Sequence, residues 1–303
     1  MSRNNLFTGS LCALGCEIIY GMSYVFTKQA IKGASELSLL GWRFALSFVV
    51  MNLLVAFGII KVNFIVKKIR PLLIISLFCP VIYFIGETFG ISNTTASESG
   101  VFLACIPVIS LAASAFILKK KPTGLQITGI LITLTGVLVT VFAAGTSSSF
   151  SLTGYLCLLF AVLSYALYSV YVDKAGDYTG MEITYMMITA GAIVFILLAF
   201  SEAMFKENVS QLISLPFQDI GFVITLIYQG IGCSILAFFL SNIAIGKIGV
   251  NRTASFIGIS TVVSIIAGSV FLRERLTLLQ LLGAVIIILG VYTANARITD
   301  SIN

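Results

Sequence analysis

The chain has 303 residues, of which 58% are hydrophobic and only 10% are charged, and its mean hydropathy is +1.07. Soluble domains carry about 25% charged residues, so this composition excludes a soluble fold and predicts an all-α integral membrane protein, because apolar segments in lipid satisfy their backbone hydrogen bonds as helices. The net charge of +6 does not indicate a nucleic-acid partner, since the Lys and Arg residues lie in short loops between apolar runs.

Apolar runs separated by charged residues, Gly, Pro or Asn predict ten helices of roughly the 20 residues that cross a bilayer. The predicted spans are 6–27, 37–60, 71–91, 95–118, 123–142, 151–172, 181–201, 219–244, 250–272 and 276–296. The first span is longer than a signal-peptide core and lacks a small-residue cleavage site, so we expect it to stay attached. Between the seventh and eighth spans, the mixed segment 202–219 predicts a piece that lies on the membrane surface.

Basic residues in the loops predict the orientation, because Lys and Arg are retained in the cytoplasm. With the N-terminus inside, twelve of them fall in cytoplasmic segments and five in external ones, and Arg43 lies within a span. This predicts a multi-pass protein of the cytoplasmic membrane with both termini in the cytoplasm. Six Cys in apolar runs without ligand-like spacing, and the absence of His, predict neither a metal site nor a cofactor.

The sequence contains an internal repeat. A shift of 154 positions superposes a set of polar and glycine residues of the first half on identical residues of the second: Ser110 on Ser264, Thr123 on Thr277, Gln126 on Gln280, Gly129 on Gly283 and Gly136 on Gly290. A shift of 145 places Gly9, Cys12 and Tyr20 on Gly154, Cys157 and Tyr165. A duplicated unit with five spans enters the membrane from opposite sides, so we predict two inverted five-helix repeats, 1–146 and 147–303.

Several segments resemble the drug/metabolite transporter superfamily, and within it the EamA-type ten-helix transporters. These segments are 20–25 (YGMSYV), Arg43-Phe44, 95–108 with Pro107, and 271–277 (FLRERLT). The resemblance covers nearly the whole chain and implies a carrier for a small metabolite. It does not imply which one, since the family carries amino acids, sugars, amines and other solutes.

Glu17 lies near the middle of the first span, where an acid is costly unless it faces a wet cavity or a partner. We expect it to be a proton-coupling or cation-binding carboxylate; the alternative is a protonated, hydrogen-bonded packing residue. Tyr20 and Tyr24 share its helix face, and Tyr165 and Tyr168 occupy the matching helix of the other repeat. These tyrosines are either a substrate pathway suited to a flat or cationic solute or helix packing.

Five further polar residues lie within spans. Arg43, Glu87 and Glu98 are all predicted in the outer leaflet, where they are expected to form a structural or gating ion pair; alternatively, Arg43 contacts a substrate carboxylate. In the eighth span, Gln229 and Asn242 either bond across helices or line the cavity.

Two classes of function remain. The inverted repeat and the central acid favour a secondary carrier that works by alternating access with possible proton coupling, and the sequence has no phosphate-binding loop for ATP. A membrane enzyme is disfavoured because His and paired intramembrane aspartates are absent, and a channel or a non-transporting sensor are the remaining alternatives. Family resemblance favours export, and uptake of a sugar or other metabolite stays open. The sequence leaves the oligomeric state open.

Overall fold

A computed structural model describes residues 3–30, 33–63, 68–93, 103, 105–143, 151–272 and 277–295. The described part is helical throughout and contains no strand. Its helices are α1 Arg3–Ala30, α2 Glu36–Ala56, α3 Arg70–Ser76, α4 Tyr83–Ser92, α5 Ile106–Ile117, α6 Gly124–Ala143, α7 Leu152–Lys174, α8 Gly180–Phe205, α9 Val209–Gln218, α10 Ile220–Ile227, α11 Phe238–Ser255, α12 Gly258–Leu272 and α13 Leu278–Asn295. Two π-helical segments, π1 Leu77–Ile82 and π2 Tyr228–Ala237, join α3 to α4 and α10 to α11.

Seven helical runs in the described part are long and apolar enough to cross a membrane, and three shorter apolar helices lie at the positions of the fourth, fifth and ninth predicted spans. The multi-pass character is therefore confirmed. The apolar run Ile220–Ser255 is interrupted at Gly249, and the helical stretch after the interruption begins at residue 250, where the ninth span was predicted to begin. Gly249 has non-helical φ and ψ of 79° and 166°, which interrupt the helix at this point, and glycine adopts a positive φ at no steric cost.

The segment between the seventh and eighth predicted spans contains a short helix, α9. Leu215 on one face is buried against Phe222 and Leu226 of the next helical run, while Phe217 is exposed. The indole Nε1 of Trp42 in α2 donates a 2.8 Å hydrogen bond to the carbonyl oxygen of Leu212. These contacts attach α9 to the end of the bundle.

Helix pairing follows a regular scheme. In the first half α1 packs against α11 and α12, and in the second half α7 packs against α4 and α5. The remaining major pairs are α2 with α8 and α6 with α13. Each of these pairs joins a helix of the first half of the chain to a helix of the second half.

Glycines set the distance between α6 and α13. A Cβ on Gly136 would lie 2.8 Å from the carbonyl oxygen of Gly283, and one on Gly290 would lie 2.7 Å from that of Gly129. Since real Cβ contacts are longer, only glycine permits this approach. Position 129 meets Ala294 while position 136 meets Ile287, so the residue number falls along one helix as it rises along the other. The two helices are antiparallel.

Matching capping boxes precede these two helices. The Thr123 amide donates to Gln126 Oε1 at 3.0 Å, and the Gln126 amide donates back to Thr123 Oγ1 at 3.2 Å. Thr277 and Gln280 exchange the same two bonds at 2.9 and 3.2 Å. The repeated Thr and Gln of the sequence therefore perform the same local task in both halves.

The two π-helical segments also correspond. Shifting 77–82 by 154 positions gives 231–236, which lies within Tyr228–Ala237. In π1, Cys79 has non-helical φ and ψ of −141° and 120°, and Pro80 lacks an amide donor. Interrupted helices at equivalent places of two repeats mark binding sites in many transporters, and π-helical turns are frequent at functional sites.

Candidate substrate pathway

Glu17 is the fifteenth of the 28 residues of α1 and is 5% exposed, so it lies about 21 Å along a helix of about 42 Å. Its carboxyl group interacts with the side chain of Ser260 in α12, and its charge reaches Tyr165 in α7. Among the described residues, the ion pairs join Lys120 to Asp173 and Lys206 to Glu202. Glu17 is thus a buried acid without a basic partner in the described part of the chain.

Close packing of α1 against α12 places Ser260 beside this acid. A Cβ on Gly21 would lie 2.6 Å from the Ser260 carbonyl oxygen and 2.6 Å from Val263 Cβ. Gly21 follows Glu17 by four residues and therefore lies on the same helix face. The glycine lets α12 approach at the level of the carboxyl group, and sequence reasoning did not identify Ser260.

Tyrosine rings from both halves lie next to each other. Tyr165 and Tyr168 of α7 meet edge to face with ring centroids 5.4 Å apart, and Tyr165 lies 5.5 Å from Tyr83 of α4. Tyr20 packs against the same core and is close enough to Tyr165 and Tyr168 for electrostatic interaction. Tyr83 was not identified from the sequence, although its spacing of four from Glu87 is a usable signal. The Tyr24 side chain lies outside the described part.

Asn242 connects three helices. Its Oδ1 accepts a 2.7 Å hydrogen bond from the Tyr168 hydroxyl, and its Nδ2 donates to Thr184 Oγ1 of α8 at 3.0 Å. All three side chains are buried. Asn242 therefore bonds across helices and fixes the orientation of Tyr168, whose ring in turn packs on Tyr165. Gln229, in π2, is buried at 2% exposure.

Arg43 is 6% exposed and lies in α2 beside both interrupted runs. Its Nε donates a 2.8 Å hydrogen bond to Ser234 Oγ in π2, and its Cζ lies 4.5 Å from the ring centroid of Phe84 in α4. The Ser47 hydroxyl, one turn along α2, contacts the Gly230 carbonyl oxygen at 2.9 Å. These contacts hold the Nε end of the Arg43 guanidinium group between π2 and α4.

Glu87 lies one turn beyond Phe84 in sequence and accepts a 2.8 Å hydrogen bond from the Tyr83 hydroxyl. Arg43 attracts it electrostatically, but each of the two charged groups has a neutral hydrogen-bond partner of its own. The third member of the expected set, Glu98, lies outside the described residues.

The described site residues form two connected groups. Glu17, Ser260, Tyr20 and Tyr165 make up the first, and Arg43, Ser234, Phe84 and Glu87 make up the second. Tyr83 links them, because its ring contacts both Tyr165 and Phe84, the latter at 5.1 Å. The buried residues Glu17 and Arg43 are therefore connected through the rings of Tyr165, Tyr83 and Phe84.

The described residues include no group of three or more Cys, Asp or Glu side chains placed to hold an ion, and the six cysteines are not joined by disulfides. A separate polar pocket lies at the end of the bundle, lined by residues such as Ser35, Glu202 and Lys206, and it shares no lining residue with either group.

Buried charged groups beside interrupted membrane-spanning helices define the class of polytopic solute transporters. The model of the EamA-like transporter family matches residues 7–142 and again residues 152–296. The chain therefore belongs to the EamA-like transporter family, which is a family of transporters and not of enzymes.

Relatives extend over nearly the full length. The uncharacterized transporter YcxC of Bacillus subtilis is 31% identical over 95% of this chain and 93% of its own. Probable amino-acid metabolite efflux pumps of Salmonella typhimurium and Escherichia coli are 26% and 24% identical over 96% of this chain and 95% of theirs. A solved crystal structure of a protein matches with a TM-score of 0.75 and 16% identity over 97% of both chains, which shows a shared fold.

Proposed function

We propose that this protein is a secondary transporter that moves a small metabolite across the cytoplasmic membrane by alternating access, in the direction of export. The observation that carries the proposal is Glu17, an acid buried at the midpoint of α1 without a basic partner among the described residues. Such a group is costly in a membrane unless it binds a proton or a cation during the transport cycle.

Two inverted five-helix repeats, 1–146 and 147–303, give the alternating access its structural basis. The family model matches twice, once in each half. The α6 and α13 helices are antiparallel, and their contacts are reciprocal: Gly136 meets Ile287, and the counterparts at a shift of 154, Gly290 and Thr133, also meet. Reciprocal contacts of this kind support a two-fold relation in the membrane plane, ten spans, and both termini in the cytoplasm.

Such an arrangement has two nearly equivalent packings, in which the central site opens to one side or the other. Glu17 has no acidic counterpart, since a shift of 145 places it on Val162. The coupling carboxylate therefore belongs to one repeat only, and a single proton or cation site per protein is expected. Tyr20, Tyr165 and Tyr168 form the pathway wall next to it, while Gln229 and Asn242 hold the neighbouring helices.

Export is supported by relatives that are named as efflux pumps. The solute is found by comparing metabolites inside and outside cells that lack or overproduce the protein. The metabolite that accumulates outside the overproducing cells is then measured in proteoliposomes with an imposed pH gradient.

Glu17→Gln tests the proposal in those proteoliposomes, and Glu207→Gln is the matched control because Glu207 is exposed at the end of α8. We expect Glu17→Gln to abolish gradient-driven flux and the control to retain it. Flux of unchanged rate and unchanged pH dependence in Glu17→Gln would remove the carboxylate from the mechanism.

A further inference from the structure

The Arg43 guanidinium group has donors without an acceptor among the residues that the structure describes. Among the described residues its hydrogen bonding is limited to Nε, which donates to Ser234. Its two terminal amino groups have no acceptor in the described part of the chain. Among the described side chains, the fully enclosed polar atoms without a partner belong to Ser76, Ser110, Ser114, Asn251 and Asn295. The terminal nitrogens of Arg43 are therefore not fully enclosed. They therefore border a small accessible space.

A packing role does not explain this arrangement. An arginine that is only 6% exposed is costly unless its charge and its donors are satisfied. The faces of Phe84 and Phe44, 4.5 and 5.5 Å from Cζ, compensate part of the charge but accept no hydrogen bond along the edge of the group. The free edge presents paired N–H groups, the geometry that binds a carboxylate with two parallel hydrogen bonds.

Glu87 is an acidic residue close to this edge of Arg43. It attracts Arg43 electrostatically without forming an ion pair with it, and its carboxyl group accepts from Tyr83 instead. The edge of Arg43 is thus kept open, while Ser234 and the contact between Ser47 and Gly230 fix its direction. A carboxylate that enters from the pathway would supply the missing acceptor.

The surroundings indicate what is attached to that carboxylate. Phe84 and Tyr83 lie next to Arg43, and Tyr165 continues the aromatic layer toward Glu17. We propose that Arg43 binds the carboxylate of the transported solute and that the carrier selects organic acids with an apolar or aromatic body. This assignment rests on the proposed transport function and adds the class of its substrate.

Thermal unfolding of the purified full-length protein tests it, because a ligand raises the unfolding temperature in proportion to its binding free energy. The probes are pairs with one carbon skeleton: 3-phenylpropanoate against 3-phenylpropylamine, and 4-methylpentanoate against 4-methylpentylamine. Phenylalanine and leucine carry both groups, and glucose carries neither. We expect stabilisation by the acids and the amino acids, and none by the amines or glucose.

Arg43→Gln is expected to weaken acid binding by about 30-fold or more, and Arg43→Lys to weaken it partly, because lysine keeps the charge and loses the two-pronged geometry. Arg70→Gln is the matched control, since Arg70 is exposed at the start of α3, and should bind as the wild type does. Ser234→Ala leaves the guanidinium group in place and should bind more weakly than wild type and more tightly than Arg43→Gln, which keeps the test valid if the latter variant folds poorly.

Three results would overturn the assignment: amines that stabilise in place of acids, acids that stabilise Arg43→Gln as well as wild type, or no stabilisation by any acid. The outcome is separable from that of the proposed function. Glu17-dependent flux of an amine would leave the transporter standing and remove the carboxylate site. Acid binding that needs Arg43, without flux in proteoliposomes, would support the carboxylate site and contradict the proposed transport function.

Discussion

The Tyr168 hydroxyl donates a 2.7 Å hydrogen bond to Asn242 Oδ1, which joins α7 to α11 in the core of the bundle. Because both residues are buried, the loss of either partner leaves a polar atom without compensation. Tyr168 is therefore expected to contribute to stability through its hydroxyl group, whereas the neighbouring Tyr165 is expected to contribute through its ring alone. Variants of the two tyrosines can thus distinguish a role in stability from a role in transport.

Tyr168→Phe should therefore lower the free energy of unfolding by about 1 to 3 kcal/mol, the cost of an unsatisfied buried group. Tyr165→Phe should leave stability within about 0.5 kcal/mol, because no hydrogen bond of its hydroxyl is described. Unfolding in detergent, followed by circular dichroism, gives both values. Equal destabilisation of the two variants would contradict the assignment of the hydrogen bond.

Gly136→Ala should lower the unfolding temperature by several degrees, because the new Cβ would lie 2.8 Å from backbone atoms of Gly283 and Ile287 and force α6 away from α13. Gly246→Ala is the matched control: this glycine, in α11, has nothing within 4 Å of an added Cβ. The same melting assay compares them. A neutral Gly136→Ala would show that the two helices tolerate greater separation.

Trp42→Phe should speed hydrogen exchange in peptides from Val209–Gln218 by about fivefold, the equivalent of one lost hydrogen bond of about 1 kcal/mol. The indole bond to Leu212 is what attaches this surface helix to α2. Tyr185→Phe, which removes the 3.0 Å bond to Asn52 on the other part of α2, should leave these peptides unchanged. Mass spectrometry reads both variants, and a uniform change throughout the chain would argue against a local attachment.

The proposed inverted repeat predicts that Lys121 and Arg275 lie on opposite sides of the membrane. A membrane-impermeant maleimide added to intact cells should label Arg275→Cys and the external control Glu207→Cys, and should label Lys121→Cys only after permeabilisation. Wild-type protein controls for the native cysteines. Labelling of Lys121→Cys and Arg275→Cys from the same side would rule out inversion of the two halves.

Part of the fold and of the site could be predicted from local features of the sequence. Apolar run length predicted where the helices lie, and the repeated Thr123 and Gln126 pointed to a duplicated helix start that proved to be a capping box. Glu17, Arg43 and Asn242 were identifiable because polar groups are rare in membrane spans. The start of the ninth span at residue 250 could be predicted from the glycine before it, because Gly249 has non-helical φ and ψ and interrupts the helix there.

The sequence by itself determined the membrane environment, the family and the residues whose burial in lipid needs compensation, because these depend on composition and on spacing along one helix. Only the tertiary structure decided which groups meet: Ser260 with Glu17, Ser234 with Arg43, and Tyr83 between the two. Contacts between helices depend on how each helix is rotated about its axis and on how closely two helices approach. Side-chain size at positions such as Gly21 and Gly136 sets this distance. It depends on pairs of residues far apart in the sequence and cannot be inferred from the periodicity of either helix.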